Sequence, residues 1–297
     1  MRVVTLSSTR RAPRQLTPEK RCPRIPLIAG TSGCQTPEMN ESAQNVQADN
    51  SGPSLENLVE GLDLGEEVLH PGGLNTSREL ADLCCIRGTS RVLDVASGTG
   101  ESLCFLAETF RCQAVGLDLS ESMVKRAQRK AQERQLAVEF QEGDAHRLPF
   151  DSGMFDVVIS ECTICLLRKE TAIKEMVRVV KPGGYVGFHD LCWKQTAPAR
   201  LKRRLAEIEH QHPETVEGWK HLAEGAGLID VVAVDRSELI PNWTKEFKKR
   251  LGMLKRLSAT WHILKRWGIR GLLMIRESES IFRSEHMAYC VIAGRKR

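Results

Sequence analysis

From Leu55 onward, hydrophobic residues recur along the chain with two distinct periods. "SLENLVEGLDLGEEVL" and "NTSRELADLCCI" carry apolar residues at helical spacing, and Asn75 or Thr76 stands where it can cap the second helix, with Glu79 in the capping-box position. Short apolar runs then alternate with amphipathic segments: strand "RVLDVA", helix "ESLCFLAETF", strand "AVGLDL", helix "SESMVKRAQRKAQERQ", strands "VEFQEG" and "FDVVIS", helix "ETAIKEMVRVV" and strand "GYVGFHD". Beyond them come a helix near 214–226, strand "IDVVAVD", a basic helical region over 243–270 and a last strand "MAYCVIAG". Strands separated by helices are joined by crossovers. The order therefore predicts an α/β domain with seven mostly parallel strands, helices on both faces, and a helical cap over 241–283 before the last strand.

Residues 1–53 show no such period, are rich in Pro, Ser, Thr and Arg, and run into the polar tract "NESAQNVQADNSGPS". They read as a disordered or targeting segment ahead of one domain over 54–297. The acid-poor start has the composition of an organelle transit peptide, although prolines at 13, 18, 23 and 26 interrupt any amphipathic helix, and Met39 is an alternative start. The ten cysteines are scattered through 297 residues without an apolar secretory leader, which favours reduced thiols and a cytoplasmic protein, or an organellar one if residues 1–38 are a transit peptide. No window approaches 18 consecutive apolar residues, so nothing is expected to span a bilayer. The formal charge of +5 belongs to residues 1–40, with seven basic and two acidic residues; the rest balances at 36 basic and 36 acidic. A neutral body argues against a nucleic-acid partner.

"RVLDVASGTGES" is a strand that ends in a glycine loop and opens a helix. Gly98 and Gly100 permit close approach of a ligand at the carboxyl end of the strand, where open α/β sheets bind their ligands. The loop lacks the G-x-G-x-x-G pattern of dinucleotide sites and is preceded by an acid, Asp94. Asp118 ends the second strand, 18 residues after Gly100, where a carboxylate can accept hydrogen bonds from both ribose hydroxyls of a nucleoside. Asp144 ends the third strand, within reach of an adenine amino group. Three acids at successive strand ends suit a cationic sulfonium cofactor better than an anionic pyrophosphate.

Across residues 74–236, "VLDVASGTG", "GLDLSESMVKRA", "GDAHRLPF", "FDVVIS" and "EMVRVVKPGG" resemble, in order and spacing, the successive motifs of the class I S-adenosylmethionine-dependent methyltransferases. The resemblance implies a Rossmann-like fold with S-adenosylmethionine as cofactor. By the same match, Asp94 and the Gly98–Gly100 loop hold the methionine part, Asp118 binds the ribose, Leu119 and Met123 flank the adenine, and Asp144 with Ala145 reads its edge. Ser160, on the fourth strand, borders the cofactor, and Ala96 departs from the family, which often has glycine there.

"ISECTICLL" places Cys162 and Cys165 after the fourth strand, facing the cofactor's methyl group in this fold. With "ESLCFLAE" it is similar to the arsenite methyltransferases, which implies that Cys162 is an acceptor-binding thiolate, a soft ligand for a thiophilic centre. The helical region in which those enzymes carry a further thiol reads "IEHQHPETVEGW" here, so Cys84, Cys85 or Cys192 would have to substitute. The bland alternative is that Cys162 and Cys165 line the pocket or the core. A zinc clip would need a second close Cys/His pair, which the neighbourhood lacks, and a redox pair would open a helix in another context, so no metal site is expected.

Methyl transfer requires in-line positioning, and a general base where the nucleophile arrives protonated. Candidates are His70 in "LHPGGL", Glu161, and His189 beside Asp190. Over 243–270, Trp243, Phe247, Leu251, Leu254, Leu257, Trp261 and Leu264 recur at helical spacing among nine basic residues and one acidic, so this segment can cap the domain or lie on an anionic membrane surface. The expected function is methylation of a small molecule, with a soft thiol or arsenite-like acceptor first. The alternatives are C- or O-methylation of a lipophilic ring such as a quinol or sterol-like compound, and cofactor binding without catalysis.

Overall fold

The computed structural model describes residues 70–297, except the side chains at 242, 244, 246–248, 250, 251, 254 and 255. The expectations for residues 1–53, the helix from Leu55 and the start at Met39 lie outside the described residues, as do the side chains of Phe247, Leu251 and Leu254.

The chain runs α1 (Leu74–Leu83), β1 (Arg91–Val95), α2 (Glu101–Phe110), β2 (Gln113–Asp118), α3 (Glu121–Glu133), β3 (Val138–Glu142), β4 (Phe155–Glu161), α4 (Lys169–Val179), β5 (Val180–Trp193), α5 (Ala199–Glu209), α6 (Val216–Gly225), β6 (Leu228–Asp235), α7 (Ile240–Phe282) and β7 (Met287–Lys296). All seven strands form one sheet in the order β3-β2-β1-β4-β5-β7-β6. β1 to β5 pair in parallel, whereas β7 inserts antiparallel between β5 and β6. The expected seven-stranded, mostly parallel sheet is therefore present. The chain leaves β1 in one direction through β2 and β3, then returns to place β4 on the other side of β1. That reversal opens a crevice at the carboxyl ends of β1 and β4.

The strands read as continuous apolar runs because both faces are covered. Neighbouring residues point to opposite sides: Val92, Val157 and Ile159 pack with Leu80, Leu103, Leu106 and Val124 from α1–α3, while Leu93, Val158 and Phe188 pack with Ile173, Met176 and Trp219 from α4 and α6. Trp219 is fully buried and donates its indole N–H to the Leu191 carbonyl at 3.0 Å. A third cluster, Leu191, Trp193, Leu205, Ile208, Ile240, Phe282, Met287 and Tyr289, joins α5 and α7 to the β5–β7 end of the sheet.

One expectation needs correction. The capping box on α1 is absent: Gly73 is the N-cap, without a side-chain hydrogen bond. Thr76 instead donates to the Pro71 carbonyl at 3.0 Å, and Glu79 pairs with Arg236 at 2.5 Å. The tight Pro-Gly-Gly turn starts the helix two or three residues earlier than the polar residues suggest. Helix α7 is broken by non-helical backbone of positive φ at Gly252 (φ 64) and Gly268 (φ 65). Helix α5 was not anticipated, although Leu201, Leu205 and Ile208 recur with four- and three-residue steps.

Candidate active site

At the end of β1 the backbone turns through three left-handed positions, Ala96 (φ 62), Gly98 (φ 53) and Gly100 (φ 72), the last capping α2. Asp118, at the end of β2, holds this loop: Oδ2 accepts from Gly98 N at 2.7 Å and Oδ1 from Ser120 N at 2.9 Å. A Cβ at Gly100 would stand 2.5 Å from the Phe140 ring and 2.9 Å from Ala127 Cβ, so glycine there keeps α2, α3 and β3 in contact. A Cβ at Gly98 meets no protein atom within 4 Å. The loop is packed on one side and open on the other.

Asp94 is buried beneath this loop, and its Oδ1 has no hydrogen-bond partner. Burial, then the charges of Glu161 and Asp118, push its carboxyl well above the usual range. A cation in the crevice would relieve all three carboxylates, since interior charges are tolerated only when paired. Asp144 is different. Partial burial raises its carboxyl, but hydrogen bonds from His146 outweigh this and hold it below the usual range, with Oδ1 2.8 Å from His146 N and 2.7 Å from His146 Nδ1. Leu119 is 71% exposed beside Asp118, whereas Ala145 is buried in the core.

Across the crevice, Glu161 ends β4 and is in register with His189 on β5. His70 precedes α1. Its Nε2 lies 2.9 Å from Glu161 Oε2, and its ring centroid is 4.3 Å from that of His189. Ser77 Oγ donates to Glu161 Oε2 at 3.0 Å, and Tyr289 OH lies 2.6 Å from His189 Nδ1. Burial works against the Glu161 charge, but His70 and His189 outweigh it and hold the carboxyl well below the usual range. Burial, reinforced by His70, pushes His189 down, so its imidazole is neutral at physiological pH.

The two cysteines separate. Cys165 is fully buried in the core, its N–H bonded to Asp190 Oδ2 at 2.9 Å. Cys162 adopts φ 56 beside Glu161 and is partly exposed. Burial of its sulfur, then Asp190 and Glu161, push its thiol well above the usual range, so these surroundings favour thiol over thiolate. Cys192, one of the substitutes considered for a thiolate trap, instead lies with its Sγ 2.9 Å from Cys290 Sγ, and Cys84 is buried with its thiol pushed up to about 12 by burial.

A methyltransferase-domain profile matches residues 93–188, which contain both sides of this crevice. Phosphoethanolamine N-methyltransferase of Triticum aestivum is 32% identical over 180 residues, 59% of this chain and 35% of that protein. An uncharacterized protein of Haemophilus influenzae is 31% identical over 177 residues, 57% of this chain and 70% of that one. The chain belongs to the class I S-adenosylmethionine-dependent methyltransferases. Its fold agrees with Haemonchus contortus phosphoethanolamine N-methyltransferase 2 in complex with S-adenosyl-L-methionine, at a TM-score of 0.66 and 19% identity, over 81% of this chain and 57% of that one. The chain spans about a third of the length of the plant relative.

In this methyltransferase the expected cofactor residues stand at or near the carboxyl ends of four neighbouring strands. Asp94, Ala96, Gly98 and Gly100 follow β1, Asp118, Leu119 and Met123 follow β2, Asp144 and Ala145 follow β3, and Ser160 is buried near the end of β4 with its Oγ unpartnered. The left-handed Ala96 explains why glycine is common there in the family: a side chain at that torsion costs about 1–2 kcal/mol. Glu161, His70 and His189 come together. Asp190 turns away, its Oδ1 accepting from Leu191 N at 2.7 Å and Oδ2 from Cys165 N. Ser77 and Tyr289 were missed, because neither carries a motif and each reaches the site only through α1 and β7. Among the described residues, no helix is long and apolar enough to cross a membrane.

Proposed function

We propose that the chain transfers the methyl group of S-adenosylmethionine to a small molecule whose nucleophile arrives carrying a proton. The observation that carries this reading is the placement of His70, Glu161 and His189, buried together at the strand end opposite Asp94 and the glycine loop. A nucleophile that arrived already deprotonated would need no such group. The Asp94–Gly98–Asp118 side supports the assignment of the cofactor, with Asp118 toward the ribose and Leu119 and Met123 toward the base. The relatives' names are consistent with small acceptors, phosphoethanolamine in the wheat protein and geranyl diphosphate in a structural neighbour.

Within this reading a thiol is the first acceptor class. A free thiol ionises near pH 8.5, so a site holding His189 as neutral imidazole beside the Glu161 carboxylate can deliver its thiolate at neutral pH, whereas an alcohol demands far more. Cys162 then lines the acceptor pocket as a neutral, polarizable wall. A lipophilic ring is the second reading, favoured by Trp243, Leu201 and Leu239, which, like Cys162, pack against the Leu191–Tyr289 cluster. S-adenosylhomocysteine release by the full chain should be measured against small thiols, arsenite, quinols and phosphoethanolamine, with Asp118→Ala as control. Turnover with thiols supports the first reading. Turnover confined to quinols supports the second, and binding of the cofactor without turnover on any acceptor counts against catalysis.

Helix α7 supports contact with an anionic membrane. Between its two breaks, Met253, Leu257, Trp261 and Leu264 fall within about 80° of a helical wheel. The side chains of Met253 and Trp261 are 75% and 70% exposed. Arg256 and Lys265 flank this stripe, and buried Ala259 and Ile263 lie on the opposite side.

A further inference from the structure

We infer that His70, Glu161 and His189 bind a divalent metal ion, zinc by the chemistry of the donors, and that this ion holds and activates the methyl acceptor. The inference rests on the reading of this strand end as the acceptor site. Ligand atoms from the three side chains lie within 4.8 Å of one another. Glu161 Oε1 and His189 Nε2 are both buried and both lack a hydrogen-bond partner. They stand 3.6 Å apart. That is too long for a hydrogen bond, and close to the ~3.3 Å expected between two ligands each about 2.0–2.1 Å from a tetrahedral ion. Two buried orphan atoms facing each other cost about 1–3 kcal/mol each unless a polar partner lies between them.

The surroundings orient these atoms as ligands. His70 Nε2 lies 2.9 Å from Glu161 Oε2, and its Nδ1 lies 3.3 Å from the Pro71 carbonyl, which can only accept; an ion between Nε2 and the carboxylate would therefore shift the ring proton to Nδ1, where that carbonyl holds it. His189 Nδ1 is held by Tyr289 OH at 2.6 Å, which again leaves Nε2 for the ion. Ser77 Oγ engages Glu161 Oε2 at 3.0 Å and leaves Oε1 unclaimed. Each ligand thus has an outer partner, the arrangement that fixes metal-binding side chains. Two imidazoles and one carboxylate also leave a tetrahedral ion one open position, the mark of a catalytic rather than a closed structural site.

The open position takes a thiol. Coordination releases the thiol proton to solvent and leaves the thiolate on the ion. The sulfur's electron pair then forms the new S–CH3 bond while the S–CH3 bond of the cofactor breaks, its electron pair remaining on the cofactor sulfur. The products are a thioether, S-adenosylhomocysteine and one proton, and no oxidant or reductant is required.

The test uses the full chain stripped with a chelator. Zinc is titrated by calorimetry and cobalt(II) by visible absorption, and S-adenosylmethionine binding is measured separately. The expected result is one zinc per chain and a four-coordinate cobalt spectrum. Zinc affinity should fall at least tenfold in Glu161→Gln and His70→Ala, and by about 10–100-fold in Tyr289→Phe, which acts only through His189. Cofactor binding in the variants reports that they are folded. Absence of zinc binding in a chain that binds the cofactor, or zinc affinity unchanged by Glu161→Gln and His70→Ala, overturns the inference and leaves the methyltransferase reading intact. Zinc bound as expected without turnover of any thiol would instead count against the acceptor class.

Discussion

Substituting the two loop glycines by alanine should separate folding from cofactor binding. At Gly100 the new methyl carbon meets Phe140 Cζ at 2.5 Å, Cε1 at 2.8 Å and Ala127 Cβ at 2.9 Å, on backbone with φ 72. The left-handed torsion costs about 1–2 kcal/mol, and forcing a methyl into a packed site about 1–3 kcal/mol. Together these give roughly 2–5 kcal/mol, a large part of the ~5–15 kcal/mol that holds an ordinary protein folded. For a domain of this size the melting temperature should drop by roughly 4–20 °C. At Gly98, with φ 53 and no protein atom within 4 Å of the added carbon, only the torsional cost of about 1–2 kcal/mol applies. Its methyl instead projects into the crevice, so cofactor affinity should fall at least tenfold, about 1.4 kcal/mol. Thermal and urea unfolding without ligand, with calorimetric titration of S-adenosylmethionine, measure both effects. A double-mutant cycle of Gly100→Ala with Phe140→Leu should return a coupling of about 1–3 kcal/mol, because the smaller side chain removes the clash and leaves the torsion. Equal destabilisation by the two alanines, or zero coupling to Phe140, would refute the packing account of this loop.

Cys162→Ser should retain S-adenosylhomocysteine production within a few-fold, because burial and the neighbouring carboxylates favour the neutral thiol; abolished turnover would restore the thiolate role. The raised carboxyl of Asp94 gives the ligand-free protein stability that is present at low pH and lost as pH rises through the folded value. A cation in the crevice favours the ionised form, so cofactor affinity should fall as pH is lowered, with net proton release on binding when calorimetry is run in buffers of different ionisation enthalpy. Affinity that strengthens on acidification would contradict this sign. Trp261→Glu should weaken sedimentation with vesicles rich in phosphatidylserine at least several-fold while leaving folding unchanged, since the side chain is 70% exposed; wild-type protein that does not sediment with such vesicles would exclude a lipid partner for α7.

The cofactor side was legible in the sequence because each part is local. A parallel strand buried on both faces must be an apolar run, a chain turning at its end needs glycine or a left-handed residue, and "RVLDVASGTG", "VGLDLS" and "EGDAHRLPF" each hold strand, turn and acid within about ten residues. Helix α5 was not anticipated, although the spacing of Leu201, Leu205 and Ile208 carries its signal. The insertion of β7 between β5 and β6 was not legible, since nothing local to "MAYCVIAG" distinguishes an antiparallel partner from a parallel one. Nor did the sequence separate Cys162 from Cys165: one backbone turn at φ 56 puts the first at the pocket and the second in the core. The sequence offered His70, Glu161 and His189 as individual candidates, but their union with Ser77 and Tyr289 joins residues up to 219 positions apart. Sequence periodicity records which face of an element is buried. Only the order and register of the strands decide which distant side chains meet there, and so where this chain can do its chemistry.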